Sequence, residues 1–227
     1  YLTMNICPTF SSIFKSSKAY SLGSTLIVGE GGVQWMTAAS GVLHKEYHEE
    51  EFSKKGGEFQ MVQLWVNLPA KFKMSAPKYQ ALNREDMNVH TLENGLGDIE
   101  VIAGQYGHTK GSASTFTPMH LFNAKLKEGG EATFTFPKDY NTALLVIEGE
   151  IIVNNEEKVP TDHFVLFENN GEDFDIRATE NAVVLILSGE PIEEPIAAQG
   201  PFVMNTKEEL VQAIEDFNLG KFGYLED

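Results

Sequence analysis

The stretch LHKEYHEE, residues 43–50, sets His44, Glu46 and His48 at alternate positions. Two imidazoles and a carboxylate form a mixed nitrogen and oxygen donor set. Such a set suits Fe(II), Mn(II) or Zn(II), with positions left over for a substrate oxygen or O₂. On a β-strand alternate residues point the same way, so the three would share one face and Leu43, Lys45 and Tyr47 the other. On a helix His44 and Glu46 would stand about 200° apart and could not meet one ion. The spelling also differs from the His-Glu-x-x-His of helical zinc proteases. A second reading stands beside the metal: HEEEF, residues 48–52, reads equally as a solvated acidic turn.

The other chemistry-bearing residues are dispersed. His90 lies in a polar stretch, His108 in a loop rich in glycine and serine, and His120 and His163 at strand starts. Cys7 is a soft donor in principle, but a lone thiol more often fills a core. GEGG, residues 29–32, lacks the Gly-Lys-Ser/Thr of a phosphate loop. Ser11, Ser12, Ser16 and Ser17 have no nucleophile-elbow context. Trp35, Phe59, Trp65 and Phe72 read as core fillers, with one or two free to line a cavity for a flat hydrophobic ligand.

These residues need a scaffold, and the composition bounds it. The chain has 227 residues, 42% of them hydrophobic, enough for one large core or two small ones. Its net charge of −16 repels nucleic-acid backbones, so no direct nucleic-acid partner is expected. One cysteine allows no internal disulfide, and no apolar run is long enough to cross a membrane. The expectation is a cytoplasmic monomer with no membrane partner.

From residue 25 onward the text is strand-like. Short alternating runs recur at spacings of about ten residues, broken by Gly, Asn and Pro, which predicts an all-β sandwich or barrel. The runs are 25–38, split by a glycine turn, then 59–69, 99–107, 120–129, 131–137, 142–154, 162–171, 172–178 and 181–191. Residues 79–87 read as one or two helical turns; residues 1–24 give no firm period, and part of them reads as loop or poorly ordered chain. Residues 107–118 read as a linker between two β modules. The tail reads as an amphipathic helix, capped by Asn205 or Thr206 with Glu208 or Glu209 completing a capping box. Leu210, Val211, Ile214 and Phe217 form its stripe and Gly220 its stop.

GGVQWMTAASGVLHKE resembles the signature of the pirin family. The likeness continues through QLWVNLP, PKYQ, EGEIIVN and GEPIEEPIAAQGPFVMNTKEELVQAIEDF, and spans residues 31 to about 223. It implies a bicupin: two antiparallel β-barrel (jelly-roll) domains and a C-terminal helix. The expected division is an N-terminal cupin domain over 1–110, incomplete or diverged at its start, and a C-terminal cupin domain with the helix over 111–227.

The resemblance also implies one metal in the first barrel, usually iron, held by three histidines and a glutamate. Two of those histidines come from a His-x-His element on an earlier strand. The third and the glutamate match His44 and Glu46, while His48 matches no ligand. No histidine occurs in residues 1–43. The second barrel is implied to carry no metal. Some family members are described as quercetin 2,3-dioxygenases, others as transcriptional co-regulators. The expected cofactor is therefore Fe(II) or another divalent transition metal, with binding open to loss. In an enzyme, Glu46 would be both ligand and proton acceptor for a flavonol-like small molecule. Without activity, the chain would act through a protein partner.

Overall fold

A computed structural model describes residues 2–6, 15–20, 25–48, 50–57, 59–93 and 95–225. Its contacts divide the chain into Tyr1–Glu85 with Ile192–Asp227, and Asp86–Pro191.

In the first unit the strands are β1 (Leu2–Ile6), β2 (Lys15–Tyr20), β3 (Thr25–Gly29), β4 (Val33–Thr37), β5 (His44–His48), β6 (Val62–Val66) and β7 (Lys78–Leu82). Two short helices join them, α1 (Glu50–Lys55) and α2 (Ala70–Lys73). One sheet has the order β6-β1-β4-β7 and another β3-β2-β5, all antiparallel. Strand β4 lies inside its sheet and is buried along its whole length, with Trp35 only 1% exposed.

Several expectations change here. Much of residues 1–24 is strand, because β1 pairs with β4 and β6 while β2 pairs with β3 and β5. Ladder partners distant in sequence override the serines and lysines that obscured the pattern. Cys7, Ser11 and Ser12 lie outside the described residues. Of residues 79–87, read as helical, 79–82 belong to β7, whose ladder runs from Thr37↔Lys78 to Val33↔Leu82, and only Arg84–Asp86 makes a helical turn. The acidic stretch after His48 is the start of α1, not a turn: Glu50 and Glu51 occupy its first turn and Lys54 pairs with Glu50 at 2.7 Å. Of the aromatics read as core, Trp35 is core, whereas Phe59 and Trp65 are exposed.

The second unit holds β8 (Asn88–Thr91), β9 (Gly97–Ala103), β10 (Gln105–Tyr106), β11 (Thr109–Lys110), β12 (Met119–Leu126), β13 (Glu131–Thr135), β14 (Asn141–Glu148), β15 (Glu150–Val153), β16 (Glu157–Pro160), β17 (Phe164–Leu166), β18 (Asp173–Ala178) and β19 (Ala182–Gly189). A six-stranded sheet, β17-β14-β19-β12-β9-β8, and a four-stranded sheet, β13-β18-β15-β16, contribute to one core. Strand β13 alternates exposed and buried residues, so Ala132 and Phe134 enter the core while Glu131, Thr133 and Thr135 face out. The run 142–154 is two strands, because Gly149 turns the chain at φ 73° between β14 and β15.

The compact units are drawn differently from 1–110 and 111–227. Strand β9 hydrogen-bonds to β12, so residues 104–118 connect two neighbours in one sheet. The backbone of that connection folds back on β9 through Ala113 N–H to Ile102 O at 2.8 Å. The tail joins the first unit. It forms a hairpin of β20 (Ala197–Gln199) and β21 (Phe202–Met204), followed by α3 (Lys207–Asn218).

Helix α3 begins as expected. The Thr206 hydroxyl accepts from Glu209 N–H, and the Glu209 carboxylate accepts from Thr206 N–H at 2.9 Å. Leu210 is buried, but Val211 is 56% exposed and falls outside the stripe assigned to it. Among the described residues, no helix is long and apolar enough to cross a membrane.

Candidate functional site

Strand β5 delivers His44, Glu46 and His48, and its ladder to β2 fixes their phase: Tyr20↔His44, Lys18↔Glu46, Ser16↔His48. The alternation predicted from sequence is therefore present in the backbone. His44 and Glu46 come together, with Nδ1 and Oε1 3.6 Å apart and both side chains partly exposed. That separation is close to the spacing of two neighbouring donors on one ion, each about 2.1 Å from it. His48 is used differently. Its ring meets Phe52 at 5.3 Å and Phe59 edge-on at 5.0 Å, and its carbonyl accepts from the Ser53 hydroxyl at 3.3 Å. Among the described residues, no group of three or more His, Cys, Asp or Glu is placed to hold a metal.

The loop before β5 is unusual in its backbone. Ala39 has φ 44° and Gly41 φ 120°, with Gly41 N–H bonded to Ala38 O at 2.8 Å and Ser40 N–H to Ser75 O at 3.1 Å. A Cβ at position 41 would overlap the Phe222 ring. Only glycine meets both demands, the positive φ and the close approach.

Beside this loop is a cavity of about 330 Å³, walled by residues 38–44, Met74, β21, one face of α3 and Phe222. Its rings come from the tail: Phe202, Phe217 and Phe222 have centroids 6.1–6.4 Å apart. No local pattern announced this feature, since its walls are separated by most of the chain. Phe217 alone was legible, as part of the helical stripe.

A buried lysine ties the tail down. The Lys73 amine, at 2% residue exposure, donates to Asn67 Oδ1 at 2.7 Å and Val203 O at 3.2 Å. Burial lowers its pKa, and Glu194 and Glu209 oppose that shift. Glu194 also accepts from Ala70 N–H at 2.6 Å and from the Asn205 amide at 3.1 Å.

The other histidines are separate from this site. His90 meets the Tyr106 ring at 5.0 Å, and His108 stands in the β10–β11 turn. His163 Nδ1 lies 2.9 Å from Thr161 O. His120 sits among Phe122, Phe136 and Tyr140 at 4.9–6.2 Å, with Gln105 N–H donating to its Nδ1 at 3.4 Å. Burial lowers its pKa and favours the neutral ring.

Comparison with known proteins fits this architecture. The family described as Pirin matches residues 16–66, and the domain described as Pirin C-terminal cupin domain matches residues 121–223. A Pseudomonas aeruginosa protein named provisionally as a quercetin 2,3-dioxygenase is 43% identical over 202 residues, covering 89% of this chain and 70% of its own length. Pirin of Homo sapiens is 33% identical over 206 residues, covering 89% of this chain and 69% of its own. The crystal structure of a quercetin 2,3-dioxygenase from Acinetobacter baumannii matches with a TM-score of 0.91 at 40% identity, over 99% of this chain and 77% of that one. The fold is a β-rich bicupin with a C-terminal helix.

Proposed function

This chain belongs to the pirin family, and from that premise we propose that its first unit is a metal-dependent site for a flavonol-like small molecule, with His44 and Glu46 as metal ligands. The observation that carries the reading is the pairing of His44 Nδ1 and Glu46 Oε1 at 3.6 Å on one strand face. The relation to quercetin 2,3-dioxygenases supports the reaction class.

The donor chemistry suits Fe(II) or another divalent transition metal, since an imidazole and a carboxylate form part of many such sites. The fit is that of half a shell: the described residues offer these two donors and no third. A divalent ion of this kind polarises a coordinated substrate oxygen when bound. Glu46 has a second task in this reading. Its carboxylate accepts the proton of the substrate hydroxyl, and His44 beside it holds that carboxylate in place. The net charge of −16 keeps nucleic acid away, and the reading takes the chain to be a cytoplasmic monomer.

Anaerobic iron loading followed by quercetin turnover tests the proposal. The wild type is expected to turn over quercetin only when loaded, and His44→Ala is expected to lose both iron and turnover. Turnover independent of iron, or none in the loaded wild type, removes the dioxygenase reading. The absence of histidine from residues 1–43 favours a second reading, a non-enzymatic pirin-family protein acting through a protein partner. In that case the purified protein carries no iron and binds none on loading.

A further inference from the structure

Strand β17 pairs with β14 alone and ends the six-stranded sheet. The ladder is antiparallel, so bonded and non-bonded pairs alternate along it. Val146 N–H bonds to His163 O and Phe167 N–H to Thr142 O, each at 3.0 Å. Phe164 opposite Leu145 and Leu166 opposite Ala143 fall on the non-bonded pairs between them. The N–H and C=O of Phe164 and Leu166 therefore point away from β14, and no strand among the described residues takes them. The side chains are as open as the backbone, with Phe164 at 58% and Leu166 at 71% exposure. They share a sheet face with Leu145 and Leu187, both half-buried, while Val165 between them packs on the core.

Other edges of the same unit are guarded. Strand β16 carries Lys158 and ends on Pro160. Strand β13 turns Glu131, Thr133 and Thr135 outward. Strand β8 has β11 against it, and the Asn88 amide donates to Lys110 O at 3.0 Å. Lysine, proline, polar side chains and a covering strand are means of keeping an edge from pairing, and β17 has none of them.

Charge selects what pairs with it. Asp162 and Glu168 flank the strand, both exposed, and neither is in an ion pair among the described residues. Two copies joined antiparallel about Val165 would set Asp162 of each against Glu168 of the other, and each chain carries a net charge of −16. A segment with basic residues at both ends meets the two carboxylates instead.

We propose that β17 is a docking edge for an extended segment of a partner protein, with apolar side chains at alternate positions and basic residues at both ends, which joins the sheet as a further strand. The edge belongs to Asp86–Pro191 and holds neither His44 nor Glu46, so it stands apart from the metal reading.

The test is fluorescence anisotropy of the full chain with the labelled peptide KKVTVTVKK. Saturable one-to-one binding that weakens with added salt is expected. The peptide EEVTVTVEE, with acidic ends, is expected to bind at least about tenfold more weakly. Leu166→Lys, which sets a charge on the edge, is expected to weaken KKVTVTVKK at least about tenfold. Val211→Ser, at an exposed apolar residue of α3, is expected to leave it unchanged. Thermal melts confirm that each variant is folded. Amide exchange gives a second readout. With peptide bound, the Phe164 and Leu166 N–H are expected to slow, while the Val165 N–H, already in the β14 ladder, changes little. No binding, equal affinity for the two peptides, equal affinity in wild type and folded Leu166→Lys, or no slowing at Phe164 and Leu166 overturns the proposal. So does a wild-type dimer that Leu166→Lys dissociates, which would make the occupant a second copy. All readings are taken without metal or turnover, so failure of the dioxygenase reading leaves this outcome unaffected.

Discussion

The two units treat a strand-borne histidine in different ways. In Asp86–Pro191, His120 is one ring among Phe122, Phe136 and Tyr140, and beyond it the rings continue through Phe134, Phe174 and Phe167. In the other unit, His44 is set beside the carboxylate of Glu46, and both side chains reach solvent. The difference lies in neighbours rather than in the imidazole. Burial among rings favours the neutral imidazole. A carboxylate at 3.6 Å supplies a second donor and a negative charge. Within one chain, one histidine packs among rings, and the other is the one proposed for chemistry.

The largest effect that would break this comparison lies in the ring stack. Phe134 is 1% exposed, and Phe134→Ala is expected to cost about 3–5 kcal/mol in urea unfolding. His44→Ala, at a partly exposed position, is expected to cost under about 1 kcal/mol. Similar losses at both positions would erase the distinction between a packing unit and a site.

Gly41→Ala comes next. The new Cβ must adopt φ 120° and displace Phe222, at a cost of about 1–3 kcal/mol, read as a lower Tm. A neutral result would mean that the tail does not lock the loop ahead of His44. Thr206→Ala removes one half of the capping box and is expected to cost about 1 kcal/mol of stability.

The smallest effect is a pH slope. Burial lowers the folded pKa of His120 below its ordinary 6.5, so the unfolded chain binds the proton first. Its contribution is complete above about pH 6.5 and is lost as pH falls toward the folded pKa. His120→Phe is expected to flatten urea midpoints measured across that window. An unchanged slope would mean that the ring is not buried as described.

Much of this was legible from the sequence, for physical reasons that differ by region. Alternation of period two in residues 131–135 and 120–126 marks strands with one face in the core, and those strands formed. The same period set His44 and Glu46 on one face of β5. The Thr206–Glu209 box was readable because capping is local. What escaped depends on contacts distant in sequence. Residues 79–87 look helical until β4 offers the first of them a ladder, and β1 and β2 lack a clear period yet gain partners on both sides. Neither the packing of His48 against Phe52 and Phe59 nor the closure of Phe222 on Gly41 has any local signature.

The most direct measurement is iron retained per chain after anaerobic loading and desalting, for wild type, Glu46→Gln, His44→Ala and His120→Phe. The account predicts that wild type and His120→Phe retain iron close to stoichiometry while His44→Ala and Glu46→Gln lose it. Iron absent from the wild type, or retained equally by all four proteins, would contradict it.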